Sequence, residues 1–171
     1  MKKHTFSLFV ALCSTMVSYA QSGWVTTKVD ERISVKFPEE PIKSNKKGSE
    51  TFIVKAKDSV QYSATAIDFA VIANLDSVAL APMKDMPQFA DQLVAGIASQ
   101  KPNYEFGEVK IGKWKGHTSY SFSGVDKNNK AQTSVEMILI GNKMYTLTCK
   151  VPDKLVTKNK ELFLSSITLL K

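Results

Sequence analysis

Residues 131–151 constrain the fold of this chain more than any other stretch. In "AQTSVEMILIGNKMYTLTCKV", Val135, Met137 and Leu139 alternate with Glu136, Ile138 and Ile140, and Gly141-Asn142 follows as a short-hairpin signal. A two-residue loop sets Ile138 beside Tyr145, whereas a three-residue loop sets Leu139 there, because a one-residue slip exchanges the faces. In either register apolar side chains point both ways. A sheet with one face in water alternates apolar with polar residues. This hairpin therefore belongs to a sheet covered on both sides, and helices are the expected covers.

Period-two alternation recurs along most of the chain. Strands are expected over 24–29 and 33–37, around an Asp30-Glu31-Arg32 turn. The second ends in "FPEEP", where Pro38 and Pro41 lack the ladder donor a strand needs. Glu39-Glu40 then reads as solvated acids at a corner, because adjacent residues at a strand end point apart and make a poor pair of catalytic carboxylates. Residues 43–48, rich in lysine and turn formers, read as a solvated loop. A hairpin over 52–69 bends at Lys57-Asp58-Ser59.

The alternation breaks over 74–100. Pro82 and Pro87 interrupt its first part, expected as a short helical turn or irregular connection. "PQFADQLVAGIASQ" then places Phe89, Leu93, Gly96, Ile97 and Gln100 on one helical face, and Lys101-Pro102 ends the helix. Strands over 104–111 and 117–125 flank Gly112-Lys113-Trp114-Lys115-Gly116. A C-terminal helix is expected from Asp153, as N-cap, to about residue 166, followed by a short extended piece over 167–170.

The first twenty residues stand apart. Lys2 and Lys3 precede an apolar stretch over 6–17, and Ser18 and Ala20 are small residues at the positions before a cleavage point, which is the secretory pattern. The uncharged stretch is shorter than the ~20 residues of a membrane span. Leu12 stands before Cys13, where a lipoprotein signal has a small residue, so a cleaved signal peptide is the expectation. Residues 21–171 then form one domain, periplasmic or secreted and monomeric, of about 150 residues, a usual domain length. Only Cys149 remains after cleavage, which leaves no intramolecular disulfide.

The formal net charge is +7, yet Arg32 is the only arginine. Guanine and phosphate are read mainly through the arginine fork, so dispersed lysines argue against a nucleic-acid partner. His117 is the one histidine beyond the leader, with no G-x-S-x-G and no carboxylate placed behind it. Cys149 is in phase with Tyr145, Leu147 and Val151, which makes it a core thiol. His and Cys are too few for a structural zinc site, and no calcium-loop spacing occurs. No catalytic, cofactor or metal residue is nominated. Partner binding falls instead to two places: Lys113-Trp114-Lys115, an aromatic flanked by cations, and the lysine loop with Lys43, Lys46 and Lys47.

The order of these pieces resembles the PsbP-like group: a Trp-containing strand, a strand ending "FPEEP", a meander, a central helix, hairpins with "GNKMYTL" and a last helix carrying "LFLSSI". That group includes bacterial envelope proteins of the DcrB type, an extrinsic photosystem subunit and a Ran-binding import factor. The resemblance implies an α+β fold, an antiparallel sheet of about six to seven strands sandwiched by helices on both faces. It also implies an accessory or binding role without a shared active site. PsbP itself is linked with metal ions, and the single histidine here gives no residues to which that transfers. Three functions follow as expectations: an accessory protein meeting an envelope protein; a carrier of a small hydrophobic or lipid-like ligand in a cavity lined by Phe52, Phe69, Leu93 and Ile97; and, last, a hydrolase using His117.

Overall fold

In a computed structural model, residues 23–46 and 48–171 are described. The proposed leader and Lys47 lie outside them. The elements run β1 (Val25–Lys28), β2 (Ile33–Phe37), β3 (Ile42–Lys46), β4 (Ser49–Lys55), β5 (Gln61–Asp68), α1 (Phe69–Ala73), α2 (Ser77–Leu80) and α3 (Pro87–Gln100). They continue with β6 (Tyr104–Phe106), β7 (Lys110–Trp114), β8 (His117–Asp126), β9 (Gln132–Ile140), β10 (Lys143–Val151), α4 (Asn159–Leu164) and β11 (Thr168–Leu169).

An eight-stranded antiparallel sheet runs in the order β3-β4-β5-β10-β9-β8-β6, with β7 pairing along another part of β8. A separate three-stranded sheet has the order β1-β2-β11. The large sheet exceeds the expected strand number for two reasons. The 43–48 stretch, read as a loop from its lysines, instead contributes residues 43–46 to an edge strand, Ile42–Lys46, whose five side chains are all exposed. The 104–111 strand is divided into β6 and β7, which share β8 as partner.

The β9–β10 hairpin closes with the two-residue loop Gly141-Asn142, and Ile138 pairs with Tyr145. Gly141 has φ +65°, which the first loop position of a type II′ turn requires and glycine adopts without strain. That turn fixes which apolar set faces which layer. Ile138 and Ile140 join Tyr145, Leu147, Cys149 and Val151 in one core, while Val135, Met137 and Leu139 join Met144 in another.

The covers differ between the two faces. α1, α2 and α3 lie on one side, where Leu80, Ala90, Phe89 and Leu93 pack toward Tyr120, Phe122 and Met137. The other side is covered mainly by the three-stranded sheet, through Ile33, Val35 and Phe37, with Phe163 of the six-residue α4 beside them. The expectation of helices on both faces is corrected accordingly. Residues 152–158, taken as the start of the last helix, form turns instead, with Lys154 at φ +63°, so α4 begins at Asn159 and Asp153 does not cap it. α3, by contrast, spans the expected segment, with Pro87 in its first turn. Asp68 and Asp76 cap α1 and α2 by accepting from Ala70 N, and from Val78 N and Ala79 N.

The Asp30-Glu31-Arg32 turn ties the small sheet to the hairpin loop. Asp30 accepts from the Arg32 and Ile33 amides, from Tyr145 Oη at 2.7 Å and from Lys143 Nζ at 3.0 Å. Arg32 Nη1 donates to the Ile140 carbonyl at 3.0 Å. Burial alone would push the Asp30 carboxyl up, but these donors outweigh it and hold it below its ordinary value.

Candidate functional site

The helical layer covers only part of its face. α3 packs over β8 and β9, and the strands beyond them, β10, β5, β4 and β3, carry a different residue set on that side. Their register makes the pattern explicit. Ser44 pairs with Thr51, Thr51 with Thr65, Thr65 with Thr146, and Thr146 with Met137. A neighbouring row runs Ile42, Ile53, Ser63, Thr148 and Val135. Hydroxyls thus pave the sheet from its free edge to the point where the apolar core begins.

Between this floor and the flank of α3 lies a half-open groove of about 570 Å³, within the usual range for ligand pockets. Its wall is Leu93, Gly96 and Ile97 of α3 with Phe69 and Ile72 of α1, and Met137 and Met144 close its inner side. Its floor is Ser49, Thr51, Ser63, Thr65, Thr146 and Thr148. The hydroxyls of Thr51 and Thr65 are 3.2 Å apart and share a hydrogen bond. Gln100 and Lys101 stand at one end, and Lys46 on the rim at the other. Outside the groove the sheet edge continues as Ile53, 45% exposed, and Ile42, 78% exposed.

The expected cavity lining is partly corrected. Phe69, Leu93 and Ile97 do meet around the groove, but Phe52 does not, because its side chain points to the opposite face and lies in the core of Tyr62, Ala64 and Leu147. Alternation within β4 explains this: Thr51 and Ile53 lie on the groove side of the sheet, Phe52 and Val54 on the core side.

The nominated lysine stretches are not brought together. β3 is one edge of the large sheet and β7 lies at the other. Lys43 pairs with Glu50 at 3.2 Å and lies over the Phe52 ring at 5.2 Å. Lys113 donates to Asp85 at 2.7 Å and to Thr118 Oγ1 at 3.1 Å, bracing β7 and β8 against the start of the α3 segment. The lysine and the threonine hydroxyl hold the Asp85 carboxyl below its ordinary range. Lys115 sits over the Trp114 ring at 4.9 Å, and Trp114 packs in part against the core beneath the small sheet. The 112–116 turn is shorter than expected: Gly112 and Trp114 are in β7, and only Lys115 and Gly116, at φ +48° and +84°, make the turn.

His117 faces Trp114 with ring centroids 6.5 Å apart and borders a pocket of about 130 Å³ with Ser77 and Leu139. Cys149 is fully buried, and burial pushes its thiol up to about 12, far from the reactive thiolate range. Among the described residues no group of three or more His, Cys, Asp or Glu side chains converges as a metal site. Glu39 and Glu40 are exposed at the corner between β2 and β3.

Sequence reasoning missed the hydroxyl floor, although its signal was present. β10 reads Tyr145, Leu147, Cys149 and Val151 on one face against Thr146, Thr148 and Lys150 on the other; β5 reads Tyr62, Ala64 and Ala66 against Ser63 and Thr65. Near the loop β9 is apolar on both sides, and β10 is so at Met144 and Tyr145 before its hydroxyls begin.

A large antiparallel sheet, helices on one face and a small sheet with one short helix on the other define an α+β sandwich with one open flank. It has the PsbP-like fold: the chain is similar to cyanobacterial PsbP (CyanoP) from Synechocystis sp. PCC 6803, with a TM-score of 0.59 at 11% identity, covering 90% of this chain and 96% of that one. Weaker likenesses are to a protein from Bacteroides thetaiotaomicron, TM-score 0.46 at 12% identity over 81% of this chain and 45% of that one, and to a protein of unknown function from Pseudomonas aeruginosa, TM-score 0.44 at 8% identity over 76% and 83%. No protein-family model matches the sequence, and no curated protein matches it.

Proposed function

We propose that the chain is a non-enzymatic binding protein of the bacterial envelope, periplasmic or secreted behind its leader, that carries a small hydrophobic or lipid-like ligand in the groove beside α3. The observation that carries this reading is the groove's mixed lining. Leu93, Ile97, Phe69 and Met144 offer apolar surface, while Thr51, Ser63, Thr65, Thr146 and Thr148 offer hydroxyls that a dry packed core would leave unpaired. A floor of that kind suits an occupant, or water that an occupant displaces. Among the described residues no helix is long and apolar enough to cross a membrane. Kinship with envelope proteins of the DcrB type belongs to the same proposal. Native mass spectrometry of the protein released gently from its envelope tests it: a bound small molecule, lost when Leu93 and Ile97 are replaced by Glu, is the expected result.

A second reading, an accessory protein docking onto an envelope protein, is favoured by β3. Its five side chains are exposed, and its backbone pairs only with β4 among the described residues, which leaves an edge that a partner strand can extend. Bare protein in the mass spectrum, with one stoichiometric protein captured by cross-linking through Lys43 or Lys46, decides for this reading.

A further inference from the structure

The groove has a direction. Its end near the α1 side is lined by Ile67, Phe69, Ile72 and Met144, and its other end by Ser63, Thr148, Gln100 and Lys101. One residue further along the strands on this face stand Gln61 and Lys150, paired in the β5–β10 register. This end carries two lysines, Lys101 and Lys150, whereas the α1-side end has Lys46 on its rim, in the row of Ser49, Ile67 and Met144.

Two ammonium groups flank Tyr104 there, Lys101 Nζ at 5.3 Å and Lys150 Nζ at 5.2 Å from the ring centroid. They are not equivalent. Lys150 is neutralised by the buried Asp126 at 3.2 Å. Lys101 lies in the groove lining, half-buried, and makes no ion pair among the described residues. Desolvation and then the repulsion of Lys150 hold its ammonium below the ordinary lysine range, and the Tyr104 ring face stands beside it where an acid would otherwise pair. The last carbonyls of α3 draw a cation toward the helix end, but they amount to about half a charge spread over several groups. A half-buried cation left uncompensated beside an apolar channel is what an anionic headgroup would complete.

Building on the binding reading above, we infer that the groove takes a single-chain anionic amphiphile, with its carboxylate at Lys101 and the hydroxyls of Ser63 and Thr148, and its hydrocarbon chain along Leu93, Ile97, Met137 and Met144 toward Phe69. Affinity then depends on two separable terms, the charge at Lys101 and the length of the chain.

The test uses three probes of equal chain length, sodium decanoate, 1-decanol and decyltrimethylammonium, titrated calorimetrically into the wild-type protein and into Lys101→Met, which keeps the lysine's apolar stem. A charged hydrogen bond is worth an order of magnitude or more in affinity. Decanoate is expected to bind at least about tenfold more tightly than decanol, with the cation weakest. Lys101→Met is expected to bring decanoate down to the level of decanol without lowering thermal stability, since it removes an uncompensated charge. Shortening the chain by two methylenes is expected to weaken binding by about tenfold. Equal binding of decanoate and decanol, unchanged in Lys101→Met, overturns the anionic assignment while leaving the groove as a binding site. No binding of any probe overturns the groove reading itself. Loss of thermal stability in Lys101→Met with decanoate affinity intact assigns Lys101 to the end of α3 and overturns the proposal.

Discussion

On the side of the three-stranded sheet, β5 and β10 present Tyr62, Ala64, Ala66, Tyr145, Leu147 and Cys149, all buried against Phe37 and Phe163. On the side of α3 the same two strands present Ser63, Thr65, Thr146 and Thr148, beneath a helix that does not reach them. Alternate residues of one pair of strands thus serve different ends. The closed face holds the fold together through a filled aromatic core, with Phe37, Tyr62 and Phe163 rings 5.2–5.3 Å apart. The open face gives up that burial and leaves the groove for which a ligand is proposed. The contrast teaches that stability and binding can be divided between odd and even positions of the same strand, so that substitutions on one side leave the other largely untouched.

The largest effect that sharpens this contrast is expected from Phe163→Ala. The ring is fully buried, and removing it should cost about 3–5 kcal/mol by urea unfolding. A loss below about 1 kcal/mol would mean that the small-sheet side is not the principal core.

Asp30→Asn comes next, with an expected loss of about 2 kcal/mol near neutral pH, because its four hydrogen-bond donors lose their acceptor charge. The pH dependence has a definite sign. Folding holds the carboxyl below its usual 3.8, so the unfolded chain takes up the proton first as pH falls. Stability contributed by Asp30 is present above the unfolded value and drains away from about pH 5 downward, through the folded value. Urea midpoints measured from pH 7 to pH 2 should fall less steeply in Asp30→Asn than in the wild type. Parallel curves would remove Asp30 as the clamp of the closed face.

The open face should respond weakly. Leu93→Ala, at a half-buried wall position, is expected to cost about 1 kcal/mol, while abolishing whatever the groove binds. Thr65→Val, on the hydroxyl floor, should stay within about 0.5 kcal/mol of the wild type. A loss as large as that of Phe163→Ala would show that the floor is packed and dry, and the comparison would break.

How much of this was legible in the sequence follows from which signals are local. The place of the β9–β10 turn was readable from Gly141-Asn142, while its two-residue length and register come from the structure; α3 was readable because Pro87 and the Phe89–Leu93–Ile97 spacing mark its start and face. The C-terminal helix was misplaced because Asp153 is a good cap by residue type, whereas Pro152 and Lys154 at positive φ keep the chain turning. β3 was hidden by its composition: an edge strand exposed on both faces needs no alternation, and its lysines, which discourage edge pairing, look like a loop. The groove was half legible. Phe69, Leu93 and Ile97 were grouped correctly, but Phe52 was added because hydrophobicity alone does not tell which face a strand residue points to. That depends on register, a property of pairs of strands. The uncompensated Lys101 could not be seen at all, since its burial and its lack of an acid arise from the meeting of α3 with β6 and β10.

The most direct test is amide NMR of the mature domain titrated with sodium decanoate. The account predicts that shifts concentrate on residues 63–67, 92–101 and 144–148, leaving β1, β2, β11 and α4 unperturbed. Shifts confined to the small sheet and α4, or none at the groove at saturating probe, would contradict it.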